Sequence, residues 1–389
     1  MNILFYTSDR VSVVRGGTVR ITTTIATALR RMGHKCYSAY SHEIPADLPL
    51  SMFDGEININ RESLEQFIFD KKIDHIILQQ IMRDVREYRK NIQSSCKIYS
   101  VLHFAPGSEE IINVSFCRTI KQLFFYKNSW KDYLKYLLIA SLYPIYKKWF
   151  HGHNRRLYHI VYNYSDRVVL LSNKFENEFA DYAMVKDHSK FISIPNALSF
   201  DEFFPKEKLQ KKKKQVLIVS RLTELQKRIS LAIRIWKMIE NDHSLDEWNL
   251  KIVGTGDSEK YYKKLVGQLG IQRIFFEGIQ NPLSYYRDSR IFMMTSMTEG
   301  WGLTLTEAQQ MGCVPIAFNS YASVSDIITN GGNGYLVKYN DLFFYYSCMK
   351  RLMTDEGAWE NMAKESIDSS KRFAIDKVAK EWEKVLLNY

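Results

Sequence analysis

Short apolar runs alternate with helical patterns along the chain. Residues 3–6 form an apolar run, followed by a loop that ends in Gly16-Gly17 and by a helical pattern over residues 18–32. The middle of the chain repeats this order, with an apolar run at 215–220 and a helical pattern at 229–239. Each pattern predicts a βα unit whose loop leaves the carboxyl end of a strand, where parallel sheets bind ligands.

Further apolar runs predict additional strands in each half of the chain. They lie at residues 73–78, 98–103 and 167–171, and at 250–253, 274–277, 291–294 and 314–318. Strands that alternate with helices predict an α/β protein with two doubly wound, Rossmann-like domains built on parallel sheets. We place these domains at residues 1–200 and 205–371, with a C-terminal helix at 372–389 packing back on the first. The lysine-rich run 206–214 predicts a polar, mobile connector between them.

The segment from Glu299 to Glu307, Glu-Gly-Trp-Gly-Leu-Thr-Leu-Thr-Glu, follows a predicted strand and leads into a helical pattern. Gly300 and Gly302 let a ligand approach the backbone. The amide groups beyond them lie at a helix N-terminus, which favours an anion such as a diphosphate. The two carboxylates are acceptors suited to hydroxyl groups of a sugar. The segment therefore predicts a nucleotide-sugar site; the alternative is a structural corner with Glu307 in the first helical turn.

Composition narrows the class of protein. With 389 residues, 46% hydrophobic and 25% charged, the chain is typical of a folded globular protein with two cores. Its five cysteines are scattered without a C-x-x-C spacing, which predicts neither disulfides nor a zinc site and indicates a reducing cytoplasm. No stretch approaches the roughly 20 apolar residues that span a bilayer, so we expect a cytoplasmic protein without a transmembrane segment.

Positive charge is concentrated in residues 118–156, which contain nine Lys or Arg residues and one acid, Asp132, interleaved with ten aromatic residues. Such a pattern on helices predicts binding to an anionic membrane surface, at the inner face of the cell membrane. The cations that we assign to this surface are Lys147, Lys148, Arg155 and Arg156. Two alternatives remain: an acceptor-domain insertion whose aromatic residues pack inward, and nucleic-acid binding, which we rank last because no recognised module is present.

Taken together, these motifs resemble the family-four retaining glycosyltransferases of the GT-B fold. The resemblance covers nearly the full length and is strongest from Val216 to Val337. The matching segments are Glu299 and Glu307 with seven residues between them, Arg221 in V-S-R-L, Lys227 in Q-K-R, Gly254-Thr255-Gly256, Phe275-Phe276-Glu277-Gly278, Gly16-Gly17-Thr18-Val19-Arg20 and His103 after a strand. The chain departs from the family at Ala197, where a Pro-Asn-Gly turn is usual, and at Asp326, where Glu is usual.

The resemblance implies a function and roles for these residues. The expected reaction moves a hexosyl group, with retention and without a metal or cofactor, from a nucleoside-diphosphate sugar to a hydroxyl of a glycan or lipid-linked acceptor in polysaccharide synthesis. A UDP-sugar is favoured over a GDP-sugar, and the two domains are expected to face each other across a cleft. Arg221 and Lys227 are implied to bind the diphosphate, Glu307 the ribose, and Glu299 with His103 the transferred sugar. The other implied donor-binding positions are Gly16, Gly17, Gly254, Gly278, Gly300, Trp301, Gly302 and Leu303.

Several alternatives stay open at this point. His103 has the position of a ligand contact but also that of a structural histidine. Retention is compatible with same-face attack or with a covalent route through Glu299. The fold would also suit a non-catalytic nucleotide-sugar-binding or scaffold protein, or another GT-B enzyme such as an epimerase.

Overall fold

The computed structural model describes residues 1–11, 17–43, 52–79, 85–91, 96–114, 116, 119 and 130–388. The chain divides into two compact units. Unit 1 comprises Met1–Pro195 together with Ala379–Tyr389, and unit 2 comprises Asn196–Val378. In sequence, unit 2 is therefore inserted between two parts of unit 1.

Unit 1 is built on a seven-stranded sheet. Its strands are β1 (Asn2–Asp9), β2 (Lys35–His42), β3 (Glu56–Asn58), β4 (His75–Leu78), β5 (Lys97–Leu102), β6 (Arg167–Leu170) and β7 (Phe191–Ser193). They lie in the order β3-β2-β1-β4-β5-β6-β7, and neighbouring strands pair in parallel. The strand order reverses between β1 and β4, which is the switch point where open parallel sheets bind ligands.

The helices of unit 1 in the described part of the chain connect these parallel strands. They are α1 (Gly17–Arg31), α2 (Leu64–Asp70), α3 (Val85–Asn91), α4 (Ser108–Asn113), α5 (Trp130–Ser141), α6 (Tyr143–Tyr164) and α7 (Glu176–Ala183), with a 3-10 turn at Asn173–Phe175. Pro144 stands near the start of α6, where its missing N–H costs no helical hydrogen bond. In the part of the chain that the structure describes, no helix is both long enough and apolar enough to cross a bilayer.

Unit 2 repeats the architecture on a six-stranded sheet. Its strands are β8 (Lys213–Val219), β9 (Asn249–Val253), β10 (Ile274–Gly278), β11 (Ser289–Met294), β12 (Val314–Asn319) and β13 (Tyr335–Lys338). The order is β10-β9-β8-β11-β12-β13, again all parallel. Every residue of β11 is buried, as expected for a central strand covered on both faces. The switch point of this sheet lies between β8 and β11.

The helices of unit 2 cover both faces of that sheet. They are α8 (Glu224–Lys227), α9 (Ile229–Glu240), α10 (Glu259–Gln268), α11 (Pro282–Asp288), α12 (Leu303–Gln310), α13 (Val324–Ile327), α14 (Leu342–Thr354) and α15 (Glu356–Ser370), with 3-10 turns at Lys206–Lys211, His243–Leu245 and Lys371–Phe373. The core includes strand residues such as Ile252 and Ile291 and the fully buried helix residues Trp236 and Trp359. The last helix, α16 (Ile375–Asn388), begins in unit 2 and ends in unit 1, where Glu383 Oε1 lies 2.8 Å from His34 Nε2.

The predicted α/β class with two Rossmann-like units on parallel sheets is confirmed, but four strands are additional to the prediction. β2, β3, β7 and β13 do not form conspicuous apolar runs in the sequence. In β2, for example, Ser38 lies fully buried between apolar neighbours. Such a small polar residue interrupts the apolar run by which the strand could have been recognised in the sequence.

The prediction of a mobile connector at residues 206–214 is wrong. Lys206–Lys211 forms a 3-10 turn and β8 begins at Lys213. Between them, the Lys212 side chain is buried, and its Nζ donates hydrogen bonds of 2.8–2.9 Å to the carbonyl groups of Tyr286, Arg287 and Ser289. The carbonyl groups at the end of α11 lack helical partners, and this one ammonium group supplies them.

Candidate functional site

Two loops meet at the switch point of unit 2. One follows β8 and contains α8, a single helical turn that the sequence did not predict; the other follows β11 and leads to α12. The Met297 N–H donates to the Gln226 carbonyl (2.7 Å), and the Thr295 hydroxyl donates to the Lys227 carbonyl (3.0 Å). These bonds hold the two loops side by side although they are far apart in sequence.

Lys227 and Glu299 face each other across these loops. The Lys227 Nζ lies 2.5 Å from Glu299 Oε1, and the side chains are only 17% and 12% exposed. Lys227 is the last residue of α8, which ends because Arg228 adopts a left-handed conformation (φ 51°). Reduced contact with water strengthens this ion pair relative to a surface pair, so each charge fixes the position of the other.

Arg221 lies on the same loop as Lys227 but is exposed. Its carbonyl accepts a hydrogen bond from the Thr223 N–H (2.9 Å), whereas its guanidinium group bonds to none of the residues that the structure describes. The site therefore combines one cation held by a carboxylate with one whose planar fork is available to an anion.

The glycine-rich turn after β9 packs against the loop that carries Arg221. A Cβ atom on Gly254 would lie 2.0 Å from the Ser220 carbonyl oxygen, and one on Gly256 would lie 2.5 Å from that of Leu222. Neither position can carry a side chain without moving the backbone. Gly254 also donates its N–H to the Gly278 carbonyl (2.7 Å). These glycines therefore let the turn pack closely against the loop that carries Arg221.

Gly302 begins α12 with a left-handed conformation (φ 97°) that suits glycine. It is the N-cap of the helix and offers no side chain to the first amide groups. The Leu305 N–H donates to the Gly302 carbonyl (2.8 Å), which leaves the N–H groups of Leu303 and Thr304 without a helical acceptor. Leu303 is the first residue of α12, and the Gly300 carbonyl is fixed by the Ser323 hydroxyl (2.9 Å). A bare helix N-terminus thus opens at the end of the loop that carries Glu299.

Trp301 has a different role from its neighbours. Its side chain is 3% exposed and packs edge-on against Phe373, with ring centroids 5.1 Å apart. The indole ring anchors the turn in the interior of unit 2, which leaves only the backbone of Trp301 for a ligand.

Glu307 is almost completely buried, at 1% exposure. Its Oε1 accepts a hydrogen bond from the Ser199 hydroxyl (2.6 Å), and its Oε2 accepts one from the Tyr286 hydroxyl (2.9 Å). It is the fifth residue of α12, so the interpretation of Glu307 as a first-turn acid is wrong. Ser199 and Tyr286 were not identified from the sequence, because hydroxyl residues this far apart along the chain carry no local signal.

His103 in unit 1 directly follows β5, and β5 pairs with β4 in the sheet. Its Nε2 lies 2.5 Å from Oε1 of Gln79, the first residue after β4. Burial lowers the pKa of His103 to about 4, so its imidazole is neutral at pH 7 and Nε2 donates to the amide oxygen. Gln79 was missed in the sequence, although it directly follows a strand as His103 does.

The remaining predicted residues of unit 1 are placed as follows. Gly17 is the first residue of α1, whereas Gly16 lies outside the described residues. On α6, Lys147, Lys148 and Arg156 are exposed. Arg155 instead donates to the carbonyl groups of Asp181 and Tyr182 at the end of α7 (3.5 and 3.4 Å). Among the residues that the structure describes, no three His, Cys, Asp or Glu side chains are grouped to hold a metal ion.

The family model for glycosyl transferases, group 1, matches residues 199–368, which contain the loops of β8 and β11 and α12. An uncharacterized glycosyltransferase of Haemophilus influenzae is 25% identical over 382 residues, covering 95% of this chain and 96% of that protein. Residues 199–368 are therefore similar to the group 1 glycosyl transferases. The predicted resemblance is confirmed.

Two further proteins are similar to this chain, one in sequence and one in structure. The amylovoran biosynthesis glycosyltransferase AmsD of Erwinia amylovora is 25% identical over 240 residues, which cover 60% of this chain and 65% of AmsD. The crystal structure of Anabaena Alr3699/HepE in complex with UDP and glucose matches with a TM-score of 0.73 over 100% of both chains, at 16% identity. The latter similarity shows a common fold and confirms the GT-B class.

Proposed function

We propose that this glycosyltransferase transfers a hexosyl group from a nucleoside-diphosphate sugar to a hydroxyl group of a glycan or lipid-linked acceptor, with retention of anomeric configuration. The observation that carries the proposal is the arrangement of Arg221, Lys227 and Glu299 beside the N-terminus of α12 at the switch point of unit 2. A UDP-sugar is the favoured donor, and the UDP and glucose bound by the Anabaena protein of the same fold support that choice.

The diphosphate is assigned to Arg221, Lys227 and the amide groups of Gly302 and Leu303. The exposed guanidinium of Arg221 suits two phosphate oxygens at once. An ammonium group has three donors, so Lys227 can bind phosphate while it keeps its bond to Glu299. Gly300 and the backbone of Trp301 shape the turn that presents these amides, and Gly254 and Gly278 position the Arg221 loop.

Glu307 is assigned to the ribose hydroxyls. An ionised carboxylate offers about four lone-pair sites, so ribose can bind without displacing both Ser199 and Tyr286. The hydroxyls of these residues fix the plane of the carboxylate in advance, which lowers the entropic cost of binding.

Catalysis is assigned to the stabilisation of charge on the leaving diphosphate. As the glycosidic bond breaks, negative charge grows on the phosphate oxygens, and preorganised cations and amides stabilise it most at that stage. These groups can supply the positive charge for which other enzymes use a metal ion. In same-face attack, a phosphate oxygen takes the proton of the acceptor hydroxyl.

The ion pair favours this route over a covalent one. A Glu299 carboxylate held by an ammonium group at 2.5 Å is a weakened nucleophile, and we assign it to the hydroxyls of the transferred sugar. His103, neutral at pH 7, offers Nδ1 as an acceptor for a substrate hydroxyl because Nε2 is bonded to Gln79. Gly17 and Gly16 are assigned to backbone contacts with the substrates.

The test combines binding and turnover. Thermal unfolding is measured with UDP, GDP and ADP, and release of UDP or GDP from the corresponding hexose donors is measured with and without EDTA. We expect one nucleotide to stabilise the protein, turnover that EDTA does not reduce, and an α-linked product from an α-configured donor in NMR spectra. Stabilisation without turnover would identify a non-catalytic binding protein, and an inverted product would reject retention. The absence of stabilisation by every nucleotide would refute the assignment of the site.

A further inference from the structure

Helix α5 exposes an apolar stripe instead of burying it. Large apolar side chains recur along α5 and the residue after it at intervals of three or four positions, and each is between 44% and 70% exposed: Trp130, Tyr133, Leu134, Leu137, Leu138 and Leu142. Ile145 and Trp149 extend the exposure onto α6, at 66% and 61%. A helix normally turns such a stripe toward a core, and an exposed apolar surface of this kind indicates an interaction site.

Positive charge borders the stripe. Lys131 and Lys135 on α5 and Lys147, Lys148 and Arg156 on α6 are exposed, and the sequence from residue 130 to 156 contains a single acid. Arg155 does not belong to this group, because its side chain bonds to the end of α7. The exposed cations therefore flank the apolar stripe. Helix α6 contains no acidic residue that could pair with those on α6.

A groove on the outer face of α6 brings the two kinds of side chain together. It has a volume of about 350 Å³ and is lined by Ile145, Lys148, Trp149, Gly152, His153 and Arg156. Gly152 opens the groove, since nothing lies within 4 Å of the place where its Cβ would be. Lys148 and Arg156 thus lie on either side of a gap next to exposed apolar surface.

We propose that α5 and residues 143–156 of α6 form a docking surface for an anionic phospholipid membrane. The apolar stripe enters the interface, the tryptophans and lysines lie at the level of the headgroups, and the groove accepts a lipid phosphate. With 12 residues, α5 is about 18 Å long, so it rests in the interface and does not span the bilayer. This surface goes beyond the transfer reaction and does not depend on it.

The cations and the apolar stripe together favour a membrane over a second copy of the chain or a nucleic acid as the occupant of this surface. A second copy of this chain would bring two sets of the same cations together, which costs energy. Nucleic acid would match the cations but would leave the apolar stripe in water. Only a surface with both anionic groups and an apolar interior matches both features.

The test uses sedimentation with vesicles of phosphatidylcholine alone or with 30% phosphatidylglycerol. We expect the unmodified protein to bind the anionic vesicles and to be released by high salt. Replacing Leu134 and Leu138 with Ser should abolish binding, and changing Lys135, Lys148 and Arg156 to Gln should weaken it roughly 100-fold. The matched controls lie in unit 2: Phe343→Ser, at a side chain 72% exposed, and the pair Lys260→Gln and Lys264→Gln, at exposed lysines.

Tryptophan fluorescence provides an independent readout. The chain has seven tryptophans, and apart from Trp130 and Trp149 all are at most 5% exposed: Trp236, Trp248, Trp301, Trp359 and Trp382. A blue shift on adding anionic vesicles, with protection from acrylamide, would therefore report Trp130 and Trp149 and should disappear when both are changed to Phe.

Three results would overturn the proposal. One is no binding of the unmodified protein to anionic vesicles. Another is binding that the stripe and charge variants leave equal to that of the controls. The third is self-association in light scattering that the Leu134 and Leu138 changes abolish while vesicle binding is unchanged, which would assign the stripe to a second copy of the chain.

Discussion

Lys227 and Glu299 are 72 residues apart in sequence and form an ion pair of 2.5 Å at the switch point of unit 2. The pair joins the loop of β8 to the loop of β11. It thereby couples a cation assigned to the diphosphate with an acid assigned to the sugar, so a change in either residue alters both.

We expect Lys227→Ala to lower kcat/KM for the donor by roughly 100-fold or more, because a preorganised charge opposite the leaving group is removed. Nucleotide release and calorimetric UDP affinity measure the effect. Lys350→Ala is a matched control in the same unit, since Lys350 lies 2.7 Å from Asp242 in another ion pair. Near-normal kinetics of the Lys227 variant would reject its role at the diphosphate.

Glu307→Ala should raise the donor KM about tenfold or more through the ribose contacts. A donor with 2′-deoxyribose lacks one of those contacts, so the variant should lose less affinity for it than for the normal donor. Ser199→Ala keeps the carboxylate and its bond to Tyr286, and serves as the milder control. Equal losses for both donors would contradict the ribose assignment.

His103 should make stability depend on pH. Its pKa is about 4 in the folded protein, against roughly 6.5 in an unfolded chain. The folded state thus favours the neutral ring, and stability is fully present above pH ~6.5 and declines as the pH falls toward 4, by up to ~3 kcal/mol. His103→Gln should lack this decline. Thermal unfolding of both proteins at pH 7, 6 and 5 tests it, and parallel curves would refute it.

Lys212→Met should destabilise unit 2 by about 2 kcal/mol, because three carbonyl groups lose their donor while the apolar volume is kept. Lys211→Met, at the exposed neighbouring position, should change stability by less than ~0.5 kcal/mol. Urea unfolding measures both variants. Equal effects of the two changes would mean that the buried hydrogen bonds contribute little.

Local patterns predicted much of the fold and part of the candidate site. The βα periodicity identified β8 and β11, and the glycines around Glu299 predicted the N-terminus of α12. Contacts between distant segments could not be predicted in this way. Glu307 is held by Ser199, 108 residues away, and His103 by Gln79, which only the pairing of β4 and β5 brings close.

The run of lysines at residues 206–214 was interpreted wrongly as a mobile connector, again because the deciding contact is distant in sequence. Composition assigns the same tendency to Lys211 and Lys212, whereas the structure exposes the first and buries the second. The difference lies in the carbonyl groups at the end of α11, about 75 residues further along the chain. Hydrogen-bonding demand created by tertiary structure is invisible to local charge patterns.

The insertion of unit 2 between two parts of unit 1 has a consequence for biosynthesis. The ribosome must finish Asn196–Val378 before Ala379 and the segment after it can join unit 1. Unit 2 can thus fold while unit 1 still lacks the second part of α16, which carries Glu383, the partner of His34. A released chain that ends at Val378 should accordingly protect β8 and β11 from protease while β1 and β2 are not yet fully protected.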